Sequence, residues 1–424
     1  LLPSNELYGG YGGETASAWA VAGNIAVSRE ALLFYSYQRR GAALEASAGS
    51  GRFSLQAFSV NSMPRSGFDG DYILPGDASD RTNGISTEWV VVDKRFELGG
   101  AFVDGKSAFG GDGYSPQFDP LIYGGDSWNL SVDSRWFDDS LWIHVERAAS
   151  DFDADGLGTG LPSASDDAIQ AMLQLSSSGE LGTGPFEYWS AVLQHSKVGR
   201  DFYSLGNLSL PGNVEANSAW LQGGFTSVVV DVEVSMEKTN PDNNPLFPTQ
   251  TLDRAGMNLA WSPASLNQDT GAWKLLGAPS LSAWAYRSDS SQPDSDALLA
   301  GFDVDNSTND SGVSLNFARD ALNWSIEYGL VDYDDHSMTV IDNGFIVYEP
   351  YSDSRNRHLS IAASWQASER IALDLFLQRN TLEETDFGDE YRTINYGVSG
   401  NFLLVPGKLS LFTSYSKGKD RNLF

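Results

Sequence analysis

The sequence predicts an all-β protein, a transmembrane antiparallel β-barrel of about eighteen strands within a range of about 16–20. Three observations predict it. Apolar and polar residues alternate with period 2, which puts them on opposite faces of a strand. The alternating segments run to roughly ten residues, the length a tilted strand needs to cross a bilayer. Short and long connections follow one another along the chain, as tight turns on one side of a barrel and long loops on the other would.

Residues 6–14 are Gly-rich and read as loop. Residues 15–40 hold one or two strands or a segment folded inward as a plug, so 1–40 is set apart from a barrel of 41–424. Segments 42–49, 52–61, 85–94, 95–104, 126–137 and 139–149 follow. Ser50-Gly51, Asp93 to Arg95 and Asp138-Asp139 supply tight turns between them. Segments 167–177, 185–197, 214–226, 228–238 and 252–262 come next, and Val230 to Glu237 alternates without interruption. Segments 279–288, 311–319, 321–332, 357–366, 370–380, 391–404 and 408–418 complete the series. Long polar loops are expected at 62–84, 105–125, 150–166, 198–213, 239–251, 289–310, 333–356 and 381–390. The run Ser416 to Asn422 reads as loop because Lys417, Lys419, Asp420 and Arg421 crowd around Gly418. The one weak helical turn is at Ala297 to Leu299.

Charge and composition narrow the function. There are 27 Lys+Arg against 56 Asp+Glu, a net charge of −29, so nothing in the balance serves to neutralise nucleic-acid phosphates. With no cysteine, disulfides, thiolate metal sites and Cys nucleophiles are excluded. The chain starts with Leu1 and no charged-then-apolar leader follows, which reads as a mature or trimmed chain. Lipid cannot satisfy backbone polar groups, so strands cross only as a closed sheet, apolar outside and free to be polar within. Trp89, Trp128, Trp136, Trp189, Trp220, Trp261 and Tyr415 fit aromatic girdles at the interfaces.

With this pattern, and with Phe424 as an aromatic last residue, the chain resembles the Gram-negative outer-membrane β-barrel proteins, the porin-like channels in particular. The resemblance implies an outer-membrane location, with the lipid bilayer and lipopolysaccharide as surroundings. It also implies passive diffusion of small hydrophilic solutes. One alternative is a barrel anchor or secretion pore with partners in a larger surface assembly. Another is a soluble extracellular polysaccharide-binding β protein. The last tight turn, at Pro406-Gly407, sends the C-terminus toward the long-loop side.

No phosphate loop, zinc helix or nucleophile elbow is found, so no enzyme and no catalytic residue is expected. Alternation assigns Asp231, Glu233, Glu237, Glu327 and Asp374 to polar faces. Glu88, Lys94, Glu97, Asp133, Arg135, Glu146, Arg254 and His358 join them as lumen-lining candidates, and His144 falls among polar-face positions too. Acids dominate, which favours cations or neutral solutes. Structural cross-strand pairing accounts for the same residues equally well. Trp142, Trp284 and Tyr286 are candidates for stacking on sugars. Asp151, Asp153, Asp155 and Gly156 match the first half of a calcium loop, in which alternate oxygens wrap a hard cation. Pro162 stands where the bidentate Glu of an EF-hand belongs, so only a different closure of a Ca2+ site is open, and a solvated acidic loop is the plain alternative. A second acidic loop is read at 303–310.

Overall fold

The computed structural model describes residues 7–27, 32–35, 37–62, 80–93, 95–109, 121–153, 163–177, 186–207, 209–263, 276–292, 304–337, 340–342, 345–348, 351–405 and 409–423. Its elements are strands: β1 (Leu7–Gly12), β2 (Ala16–Val27), β3 (Tyr37–Ala48), β4 (Phe53–Asn61), β5 (Arg81–Val92), β6 (Phe96–Phe109), β7 (Leu121–Trp136), β8 (Leu141–Asp153), β9 (Ala164–Ser176), β10 (Tyr188–Val198), β11 (Val214–Phe225), β12 (Val228–Thr239), β13 (Thr251–Trp261), β14 (Ala278–Ser291), β15 (Asp305–Arg319), β16 (Leu322–Asp335), β17 (Val340–Asp342), β18 (Phe345–Tyr348), β19 (Ser354–Ser368), β20 (Ile371–Glu384), β21 (Asp389–Val405) and β22 (Leu409–Leu423). Twenty of them form one antiparallel all-β sheet, and β17 and β18 make a separate hairpin.

The chain divides into two compact units, Leu1–Leu181 with Val192–Asn217, and Gly182–Ala191 with Ser218–Phe424. In the first, β1 to β9 pair in sequence order. In the second, β12 to β16 do the same, β16 pairs with β19 across the small hairpin, and β19 to β22 continue the meander. Short connections lie at 13–15, 49–52, 137–140, 226–227, 320–321 and 369–370. Longer ones fall among them, separating β10 from β11 and β12 from β13.

Four expectations are corrected. Residues 6–14 contain β1 rather than a loop, because Gly10 permits a close approach: a Cβ there would lie 2.2 Å from the Ala18 carbonyl oxygen. The run 416–422 belongs to β22, where Lys417 and Lys419 pair with Tyr396 and Ile394 of β21. Alternation lets charged residues extend a strand without burying any of them. The loop expected at 381–390 shrinks to 385–388, because Leu382 to Glu384 and Asp389 to Tyr391 keep pairing. The acidic loop at 303–310 is largely β15 from Asp305 onward, so its oxygens alternate between two faces instead of converging. The helical turn at 297–299 lies outside the described residues.

Each unit has one exposed apolar face. In the first unit it carries Leu44, Ile85, Trp89, Phe102, Trp128 and Leu130, all exposed, Leu130 to 62%. The opposite face carries Ser86, Ser127, Asn129, Ser131 and Glu146, all buried. Cross-strand pairs such as Ser86↔Ala101, Ala101↔Asn129 and Ser131↔Glu146 keep these residues on one face. In the second unit Val234, Met236, Met257, Val313, Ile326, Ile361, Trp365 and Leu375 are exposed on the apolar face. A water-soluble sheet hides its apolar face, and here the arrangement is reversed.

Candidate functional site

The polar face is the candidate site, and each unit contributes its own stretch. In the first unit the register Glu88↔Gly99, Glu97↔Asp133, Asp133↔His144 and Arg135↔Trp142 sets these side chains on one face. Asp133 accepts a hydrogen bond from Trp142 Nε1 at 2.8 Å and pairs with His144 Nδ1 at 3.1 Å. The Arg135 guanidinium lies 5.7 Å from the Trp142 ring, a cation–π contact. Glu146 is fully buried and accepts from Asn129 Nδ2 at 2.8 Å. Its carboxylate also takes the backbone N–H of Leu32, at 3.2 and 3.3 Å from its two oxygens.

That last contact ties a connection to the sheet. Leu32, Leu33 and Phe34, between β2 and β3, pack on Val21, Ala43, Phe58, Val103 and Ala148. Phe34 meets Phe58 edge to face at 5.8 Å between centroids. The connection after β10 locks over them. Ser204 Oγ donates to the Leu33 carbonyl at 2.8 Å, Tyr35 N donates to the Gly206 carbonyl at 3.2 Å, and Asp201 N donates to Asp166 at 2.9 Å. The long-connection end of this face is therefore covered by an apolar cluster over a buried carboxylate. Three consecutive apolar residues, Leu32 to Phe34, were the sequence signal for it. A one-sided strand would have broken the run with polar residues.

In the second unit the polar face is open and acidic. Asp231, Glu233 and Glu237 share it on β12, and Ser235↔Arg254 adds Arg254. A continuous cross-strand row runs Asp231, Asn258, Trp284, Gly312, Gly329, His358, Asn380, Thr393 and Asp420. Ser314↔Glu327 and Ser364↔Asp374 place the remaining two acids on the same face. Gln222 Nε2 donates to Asp231 at 2.6 Å, and His358 Nε2 pairs with Glu327 at 3.2 Å.

Rings in this unit lie across glycines. A Cβ at Gly312 would sit 2.3 Å from the Trp284 ring, one at Gly256 2.3 Å from Tyr286, and one at Gly329 2.0 Å from His358. Only a residue without a side chain leaves room for a ring to lie along the sheet there. The Trp284 indole N–H is held by Asp310 at 3.0 Å, and the Tyr286 hydroxyl is held by Asn258. The result is a set of fixed aromatic surfaces bordered by Asp231, Glu233 and Asp310.

Asp151 and Asp153 lie at the end of β8, Asp151 across from Asp126 and Asp153 from Gly124, while Asp155 falls outside the described residues, as does Lys94. Among the described residues no cluster of three or more His, Asp or Glu side chains is disposed to hold a metal ion.

No protein-family model and no curated protein matches the sequence. Among solved structures the chain is similar to the FrpB iron transporter from Neisseria meningitidis (F3-3 variant), at a TM-score of 0.40 and 10% identity, over 96% of this chain and 68% of that one. The class defined by the chain's own strands is an antiparallel all-β sheet with an exposed apolar face and a polar face.

Proposed function

We propose that this chain is an outer-membrane β-barrel whose polar face lines a path for small hydrophilic solutes, biased toward cations and neutral molecules. The observation that carries this reading is the reversed polarity of the sheet. Leu44, Leu130, Leu375 and Leu411 are exposed while Asn129, Ser127 and Glu146 are buried. That distribution suits lipid outside and a filled or wetted interior. Strand length agrees. β8 has 13 residues, and at about 3.3 Å per residue it extends for about 43 Å, enough at a barrel's tilt to cross a hydrocarbon core of about 30 Å. Asp231, Glu233, Glu237, Glu327 and Asp374 give the open polar face its preference for cations.

The test is single-channel recording of the purified chain in a planar bilayer under a salt gradient. Discrete steps with a cation-selective reversal potential are expected, and anion selectivity would overturn the bias. A second reading, a barrel anchor or secretion pore in a surface assembly, is favoured by the cluster of Leu32 to Phe34 and Ser204 to Gly206. A folded, bilayer-inserted chain that never conducts would select it.

A further inference from the structure

On the apolar face of β19 to β22, hydrophobic residues give way to cations along an aligned boundary. On β19, Ile361 and Leu359 are followed by Arg357 and Arg355. On β20, Leu373, Leu375 and Leu377 are followed by Arg379. On β21, Tyr396 and Ile394 precede Arg392. On β22, Leu411 and Tyr415 are followed by Lys417, Lys419 and Arg421. The register fixes all of these on one face: Leu359↔Arg379, Arg379↔Ile394 and Ile394↔Lys419 form one row, and Arg357↔Thr381, Thr381↔Arg392 and Arg392↔Arg421 form the next. The bases gather here although the whole chain carries a net charge of −29.

Three of them are neutralised locally. Arg355 pairs with Asp332 at 2.5 Å, Arg357 with Glu383 at 3.1 Å and Arg392 with Glu390 at 2.6 Å. Arg379, Lys417, Lys419 and Arg421 are exposed and have no ion pair among the described residues. Beside them is a hollow of about 220 Å³ lined by Arg357, Arg379 and Arg392 together with Tyr328, His358, Leu359, Thr381 and one acid, Glu390, which is the partner of Arg392. Arg392 Nε is buried there without a hydrogen-bond partner.

We infer that this surface binds the phosphorylated glucosamine headgroup of lipid A in the outer leaflet. The inference rests on the membrane reading above. Apolar residues beside the cations match acyl chains next to a charged headgroup, and guanidinium groups suit phosphate oxygens. A soluble anion would have no use for the hydrophobic band that adjoins the cations.

The experiment measures binding of fluorescent lipid A to the intact chain in neutral detergent micelles, by anisotropy. Three probes are compared: bis-phosphorylated lipid A, the same lipid with both phosphates removed, and inorganic phosphate as competitor. Preference for the phosphorylated lipid by at least about tenfold is expected, weakening as salt rises. The combined variant Arg379→Gln, Lys417→Gln, Lys419→Gln and Arg421→Gln should lose that preference. The single variants Arg379→Gln and Lys419→Gln, at exposed positions, should each lose part of it and serve if the combined variant does not fold. Equal binding of both lipids, unchanged binding by folded variants, or displacement by millimolar inorganic phosphate would each overturn the inference. If carbonate or urea strips the chain from vesicles, the membrane reading has failed. A chain that stays embedded but ignores the phosphates refutes only the lipid A site.

Discussion

Replacing Leu375 with Arg separates a lipid-facing sheet from a water-facing one. Leu375 is 55% exposed, and its neighbours on the same face are Leu373, Leu377, Ala363 and Val398. It is centred in the apolar stretch of β20 between Ile371 and Arg379. If that stretch crosses the hydrocarbon core, an arginine there costs about 2–4 kcal/mol. If the same face meets water, a substitution at so exposed a position stays within about 0.5 kcal/mol. Gln378→Arg is the control on the opposite face, where an added charge meets polar surroundings and should change stability by less than about 0.5 kcal/mol. The assay is denaturant titration of folding into phospholipid vesicles, read by tryptophan fluorescence and by the heat-dependent gel shift of folded barrels. Equal, near-zero effects of Leu375→Arg and Gln378→Arg would refute the reasoning.

Glu146→Ala removes the acceptor for Leu32 N–H and Asn129 Nδ2; hydrogen bonds to a charged group are worth about 1.5–3 kcal/mol each, so a loss of about 3 kcal/mol is expected after partial relaxation. Hydrogen exchange at Leu32 and Leu33 should rise with it, and Glu146→Gln, which keeps an acceptor, should cost less. Asp335 ends β16 beyond the apolar band. Burial raises its pKa, but hydrogen bonds from Ser337 Oγ and N–H, Tyr351 N–H and the Tyr333 hydroxyl outweigh burial and hold it below the ordinary carboxylate value. A depressed folded-state pKa stabilises above the unfolded value of about 3.9 and is lost as pH falls through the folded value. Stability measured against pH should therefore drop in acid more steeply for the wild type than for Asp335→Asn, and parallel curves would count against this anchor.

Local chemistry explains what the sequence made legible. Period 2 suffices to put Asp231, Glu233 and Glu237 opposite Val230, Val232 and Val234, because a strand allows no other arrangement. Tight turns such as 49–52 and 320–321 announce themselves by Gly, Ser and Asp. Strand pairing supplied the rest. Gly-rich β1 and the charged end of β22 have little strand propensity of their own, and hydrogen bonding to β2 and β21 overrides it. The rings of Trp284 and His358 lie over Gly312 and Gly329, residues about thirty positions away, and only the register brings them together. The hold of Glu146 on Leu32 spans 114 residues and leaves no local trace.

The central claim is that one face of this sheet meets lipid and the other does not. The chain contains no cysteine, so single Cys substitutions at residues 371–379 can be spin-labelled without background. Collision rates with oxygen, which partitions into lipid, and with a water-soluble nickel complex would be measured residue by residue in vesicles. The account predicts oxygen maxima at Leu373, Leu375 and Leu377, with nickel maxima at Asp374, Phe376 and Gln378. High nickel accessibility at Leu373, Leu375 and Leu377 would contradict it.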